Sequence, residues 1–519
     1  MRLLILLALL LPAPLLAQVA VTSPAPDGVS VSVYRDPDRG EGGINRWWPN
    51  GFALITETRT IDIPQGEAQI RFEGVADSIL AESAIVTGLP GGVKQKNRDA
   101  AVLSPAALMD FAIGKRVSVR RTILATGAVR EEDAIVRAGP NGGVVIEGAG
   151  GVEALRCTGL PEALLFDKIP EGLSDKPVLS VLTISDRPAR ATVTLSYLAG
   201  GFDWAANYVA ELAPDGATMD LFAWATLANA TGQSFVNANT NTIAGKLNRT
   251  TANASPAPPV PMLRLSCWPR GTTSDIPERS AEDLYGENDF PSPPPPPAPM
   301  AMMSPAMEIV VTGSRADARM VAQQEELGDL KLYRIPEPVT VAAKSQKQVA
   351  MIDQKGIPVE SLVRFMVEPF TSHDIQPGQR ILKTRNDKAN HLGLALPSGT
   401  VELFAPGAGR MLLAGKTSLR DLAVNEDVEF KLGTAPGVNM NHVILQVNKR
   451  GDTTRAEATI TSDSAAPQLV EAQFVLPDGA KILDSSEKLG RKDGLPLWRV
   501  TVPANGAVTL SYKIKPPRR

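Results

Sequence analysis

The segment from Phe52 to Val75, FALITETRTIDIPQGEAQIRFEGV, limits the possible folds more than any other stretch. Ile61 and Ile63 alternate with polar residues, Pro64 to Glu67 supply turn chemistry, and Ile70 and Phe72 resume the alternation. Period-two alternation places apolar side chains on one face of an extended strand, so the pattern predicts a β-hairpin. The same grammar recurs in VSVSVYRD from Val29, RATVTLSYLAG from Arg190, EDVEFKLG from Glu426 and AVTLSYKI from Ala507. The expected fold class is all-β, with several β-sandwich or small-barrel domains and a disordered Pro-rich insert. One helix is expected, with Ser104 as N-cap, Pro105 at its first position and Phe111 near its end.

Turn clusters and composition shifts divide the chain. The expected parts are a signal peptide at 1–17, an N-terminal β-hairpin domain at 28–98 and a small β-barrel-like unit at 104–160. A central β-sandwich at 175–250, a Pro-rich insert at 251–325 and a C-terminal β-sandwich at 326–515 follow. The insert contains PSPPPPPAPMAMMSPAM, which has no apolar periodicity and reads as extended polyproline II. With 43% hydrophobic residues, the chain has enough apolar material for several cores. A formal net charge of −3 leaves no electrostatic footprint for nucleic acid, and none is expected as a partner.

The first residues, MRLLILLALLLPAPLLAQ, have the layout of a secretory signal: Arg2, an apolar run from Leu3 to Leu11, and cleavage after Ala17. The alternative is an uncleaved anchor. No later apolar run is long enough to span a bilayer, so no membrane span is expected after cleavage. The expected location is periplasmic or outer-membrane-associated in a Gram-negative bacterium. Export to an oxidising compartment favours a disulfide between Cys157 and Cys267; the alternative is two free thiols.

No catalytic, metal or cofactor site emerges. His373, His391 and His442 lack metal-ligand spacing, so no cofactor is expected. Ser372, His373 and Asp374 are adjacent in sequence, whereas a catalytic triad is an arrangement in space. Asp36 and Asp38 in DPDRGEGG open like a calcium loop but lack its later ligands.

The stretch SYLAGGFDWAANYVAEL, followed by MDLFAWATLANATGQSFVNANTNTIAGKLNR, resembles a bacterial exported family of unknown function that includes the mucoidy-inhibitor-A-like proteins. Trp204, Tyr208, Trp224, Asn229, Gly232, Phe235, Ala238 and Gly245 carry the resemblance. YRIPEPVTVAAKSQKQVAMI and NHLGLALPSGTVELFAPG extend it. The chain departs from many relatives in having a short barrel-like unit where they place a long coiled coil. The resemblance implies an exported β-rich protein and supplies no reaction. The close spacing of Trp204 and Tyr208 predicts a turn between them, and Asn229 and Gly232 read as turn formers.

Within the insert, EIVVTGSR closely resembles the TonB box of outer-membrane receptors: Glu308, Ile309, Val310, Val311, Thr312, Gly313, Ser314 and Arg315. Its β-branched run suits strand addition to another sheet, with its own C-terminal sandwich as the alternative. The leading expectation is a non-enzymatic envelope scaffold that binds an envelope protein or polymer. The alternatives are an enzyme acting on envelope polysaccharide and a TonB-linked partner using 308–315.

Overall fold

The computed structural model describes residues 19–517 outside 41, 46–48, 100–102, 104, 123–125, 139–143, 155–161, 170–172, 246–320, 329 and 449–452. Among the described residues, strands hold 66% and helix 2%, so the fold is all-β, as the alternation predicts. The one α-helix among the described residues, Pro105–Ala112, covers the expected span. Two compact units are present. The described part of the first comes from 19–28 and 56–198, and that of the second from 29–55, 199–245 and 321–517.

In the first unit, one sheet has Val19–Ser23 parallel to Gly66–Glu73, with Val178–Ser185 antiparallel to both Gly66–Glu73 and Gln95–Asp99. The strands Phe52–Ile63, Ala189–Gly200 and Ile79–Thr87 belong, in that order, to another sheet. The sequence-based hairpin is therefore corrected: its two strands form, but they lie in different sheets. The turn with Gly66 at φ +95° is an arch between layers. Alternation fixes which face is buried and leaves the partner open, and Val178–Ser185 takes Gly66–Glu73 in a register of eight pairs. A smaller antiparallel sheet follows in the order Gly151–Ala154, Val145–Gly148, Val129–Ala138, Arg116–Thr122, Glu162–Leu165. Met109 and Ala112 of the helix pack on its Val117, Val119, Val136 and Ile146.

The second unit contains a five-stranded sheet ordered Ser345–Pro358, Thr218–Asn229, Phe202–Leu212, Gly399–Gly407, Arg410–Leu419. Trp204 and Tyr208 lie four residues apart on the single strand Phe202–Leu212, and both are buried. This corrects the expected turn between them: same-parity residues of one strand share a face without any bend. Asn229 does form a turn, since its Oδ1 accepts from the Thr231 amide at 2.9 Å and its Nδ2 donates to the Gln233 carbonyl at 2.9 Å. Gly399 pairs in parallel with Ala206, and a Cβ there would overlap the Ala206 carbonyl. Gly399→Ala should therefore destabilise the second unit by roughly 1–3 kcal/mol through overpacking, read as an earlier urea midpoint. An unchanged midpoint would show that the two strands separate freely.

A nine-stranded sheet also lies in this unit, beside strands Gly28–Tyr34, Phe235–Ala244, Leu330–Arg334 and Gln323–Leu327 of the eight-stranded sheet. Val363, Phe365, Val470, Phe474 and Trp498 from one part of the nine-stranded sheet share a core with Met440, Ile460, Leu510, Tyr512 and Ile514 from another. Strands distant in the sheet order can share a core only if the sheet folds over itself, which is how a sandwich buries its apolar faces.

Candidate functional site

Buried charge in the first unit is concentrated on one strand. Glu57, Arg59, Ile61 and Ile63 all point inward from Phe52–Ile63, with Arg59 0% and Glu57 1% exposed. Arg59 donates to Glu57 at 2.6 and 2.9 Å and reaches the facing sheet at the Ser23 and Glu73 carbonyls, both at 2.7 Å. Its guanidinium also stands 5.6 Å from the Phe72 ring centroid. Tyr197 donates its hydroxyl to Glu57 at 2.7 Å and accepts from the Ala76 amide. Burial, followed by the Glu57 charge, holds the Tyr197 phenol well above its ordinary pKa. Each group has its partners, so this is a clamp between the two layers.

In the second unit, the DPDRG loop is pinned by its arginines. Arg35 forms a forked pair with Asp421 at 2.5 and 2.9 Å, and Arg39 pairs with Asp203. Burial raises the Asp203 carboxyl above its ordinary value against the pull of Arg39. Asp203 also accepts from the Asp36 amide at 3.0 Å, and Asp36 accepts from the Asp38 amide at 2.9 Å. The last bond turns the Asp36 carboxylate toward the loop's own backbone. Trp204 donates its indole N–H to the Ile243 carbonyl and Tyr208 its hydroxyl to the Pro397 carbonyl. The residues of the resemblance that the structure brings together here thus serve packing and loop anchorage.

Two glutamates do come together. Arg364 binds Glu429 at 2.5 and 2.9 Å and Glu471 at 2.6 and 3.2 Å, and Lys492 pairs with Glu429. Burial pushes the Glu429 carboxyl up, but Arg364 and Lys492 outweigh it and bring it down to about 2. A general acid in glycoside chemistry needs a raised carboxyl pKa. Glu429 is tuned the opposite way.

Of the three histidines, His373 and His442 meet as a cross-strand pair with ring centroids 6.4 Å apart. His442 is buried, with Nδ1 donating to the Thr371 carbonyl and Nε2 accepting from the Tyr512 hydroxyl, each at 2.7 Å. Burial lowers its pKa, which suits this neutral tautomer. Ser372 Oγ accepts from the Ile444 amide at 3.0 Å, and His373 lies 3.8 Å from Glu368. His391 contacts the Lys355 carbonyl at 3.1 Å. Cys157, Cys267 and all of Glu308–Arg315 lie outside the described residues.

A surface recess that sequence reasoning missed is in the first unit. Pro90, Gly91, Lys94, Ile184, Asp186 and Arg187 line a cavity of about 390 Å³. Gly91 permits it, because a Cβ there would overlap the Ile184 carbonyl. Thr183 Oγ1 holds the Gly92 carbonyl at 2.7 Å, and the Lys94 amide bonds the Leu182 carbonyl at 2.8 Å. Ser185 spends its hydroxyl on the Arg187 carbonyl at 2.6 Å. Among the described residues, the Lys94 and Arg187 side chains make no ion pair, so two cations and the Asp186 carboxylate are free to meet a ligand. The signals GLPGGVK and ISDRPAR are both turn-like, and their meeting depends on strand pairing that the sequence does not show.

Compared with known proteins, the chain matches no family model and no curated sequence. Among the described residues, no helix is long and apolar enough to cross a membrane.

Proposed function

We propose that the chain is an exported envelope protein, a non-enzymatic β scaffold that binds an acidic envelope polymer. The observation that carries this reading is the cavity of about 390 Å³ with two uncommitted cations, Lys94 and Arg187. Its volume suits one or two sugar units. Lys94 and Arg187 supply only donors, which match a carboxylate or sulfate, while Asp186 accepts from sugar hydroxyls. Pro90 and the exposed Ile184 offer an apolar surface to a sugar face. The opposite tuning of Glu429 weighs against the polysaccharide-cleaving alternative at the paired glutamates.

The test is titration calorimetry with a galacturonate oligosaccharide and a neutral glucose oligosaccharide of equal length. The acidic oligomer should bind and the neutral one should not. Lys94→Gln and Arg187→Gln should each weaken binding about tenfold, which is about 1.4 kcal/mol, without changing the unfolding midpoint. Equal binding of the two oligomers, or unaltered binding by the double variant, would defeat the proposal.

A further inference from the structure

Independently of that cavity, one sheet edge in the second unit has the chemistry of an interface. Gly399–Gly407 and Arg410–Leu419 form a hairpin, and Arg410–Leu419 ends the five-stranded sheet. Ala408 and Gly409 have φ of +50° and +77°, as a two-residue type I′ turn requires. Such a turn closes with a hydrogen-bonded pair, here Gly407 and Arg410. Alternation then makes Ala405 and Leu412 a bonded pair, so the N–H and C=O groups of Met411 and Leu413 point outward. Among the described residues, no strand pairs with them.

Natural edges are blunted by bulges and lysines. Both devices are present, but only on one half of this strand. The register slips between Leu403 and Phe404, leaving Ala414 as the bulged residue, and Lys416 follows, paired with Glu402 at 3.2 Å. The other half is left apolar and open: Met411, Leu412 and Leu413 are 42%, 41% and 60% exposed.

We propose that this half-edge pairs with the same half-edge of a second copy of the chain, antiparallel about a two-fold axis at Leu412. In that register, Met411 of each copy lies opposite Leu413 of the other, and these are the residues with outward backbone groups. Leu412 lies opposite its own counterpart on the other face. Every exposed apolar side chain of the edge gains an apolar cross-strand neighbour. Charge fits as well, because Arg410 falls beside Ala414 of the second copy and no cation faces a cation. The bulge at Ala414 and the turn at Ala408 confine the pairing to about five residues a side. That is far below the ~800 Å² per partner of a standard interface, so the expected dissociation constant is on the order of 0.1 mM.

The test is sedimentation equilibrium of the full chain up to about 1 mM, paired with cysteine crosslinking. Wild type should dimerise reversibly, and Leu412→Lys should shift the dissociation constant at least tenfold upward while leaving the circular dichroism unchanged. Leu412→Cys should give a covalent dimer under mild oxidation beyond the wild-type background, and Lys416→Cys should not. A wild type that stays monomeric at 1 mM, or crosslinking by Lys416→Cys and not by Leu412→Cys, would overturn the proposal.

Discussion

Replacing Arg59 with methionine is expected to destabilise the first unit by about 3–5 kcal/mol, the cost of leaving one member of a buried ion pair behind. Glu57 would remain 1% exposed with only the Tyr197 hydroxyl as a partner. The Ser23 and Glu73 carbonyls would lose their donor from the opposite layer. Replacing both charges, as in Glu57→Leu/Arg59→Met, removes the stranded carboxylate and should recover most of the loss, because apolar groups of similar volume can substitute for a buried pair. Hydrogen exchange is the suitable measurement, since amides of Gly66–Glu73 and Val178–Ser185 report this unit directly. If Arg59→Met protects those amides within about 1 kcal/mol of wild type, the clamp contributes little and water satisfies Glu57.

The same two residues show what the sequence revealed and where it stopped. The alternation that marks Ile61 and Ile63 as inward extends backward through Arg59 and Glu57, so their burial was legible from parity alone. Their partners were not, because Ser23, Glu73 and Tyr197 come from three other strands. The arch at Gly66 has the same cause: turn chemistry announces a reversal, whereas pairing is decided by which buried strand lies nearby. For Trp204 and Tyr208 the reason is simpler. A spacing of four keeps both on one strand face, and no turn is needed. The cavity at Lys94 and Arg187 joins two turn segments about 90 residues apart, a closure that no local pattern encodes. The apolar half-edge, by contrast, was visible as RMLLAG, yet only the sheet order shows that it ends a sheet.

Arg364→Met in the second unit should cost about 3–5 kcal/mol at neutral pH. Arg364 sits in a cross-strand row with Glu471 beside it and Arg499 beyond, and Glu471 is 1% exposed. Without Arg364, Glu471 keeps only Arg499, at 3.6 Å, and Glu429 keeps Lys492. The pH dependence separates this from a simple packing loss. Glu429 is drawn down to about 2 from an ordinary 4.5, so its contribution is fully present above about pH 4.5 and is lost as pH falls toward 2. In the variant, that depression is reduced, and less stability remains to be lost to acid. The gap between wild type and Arg364→Met should therefore be widest near pH 7 and narrow steadily below pH 4.5. Urea unfolding followed by tryptophan fluorescence reports it, because Trp204, Trp224 and Trp498 all lie in this unit. A gap that stays constant from pH 7 to 3 would mean that Arg364 acts through its packing, and that the ion pairs with Glu429 and Glu471 add nothing of their own.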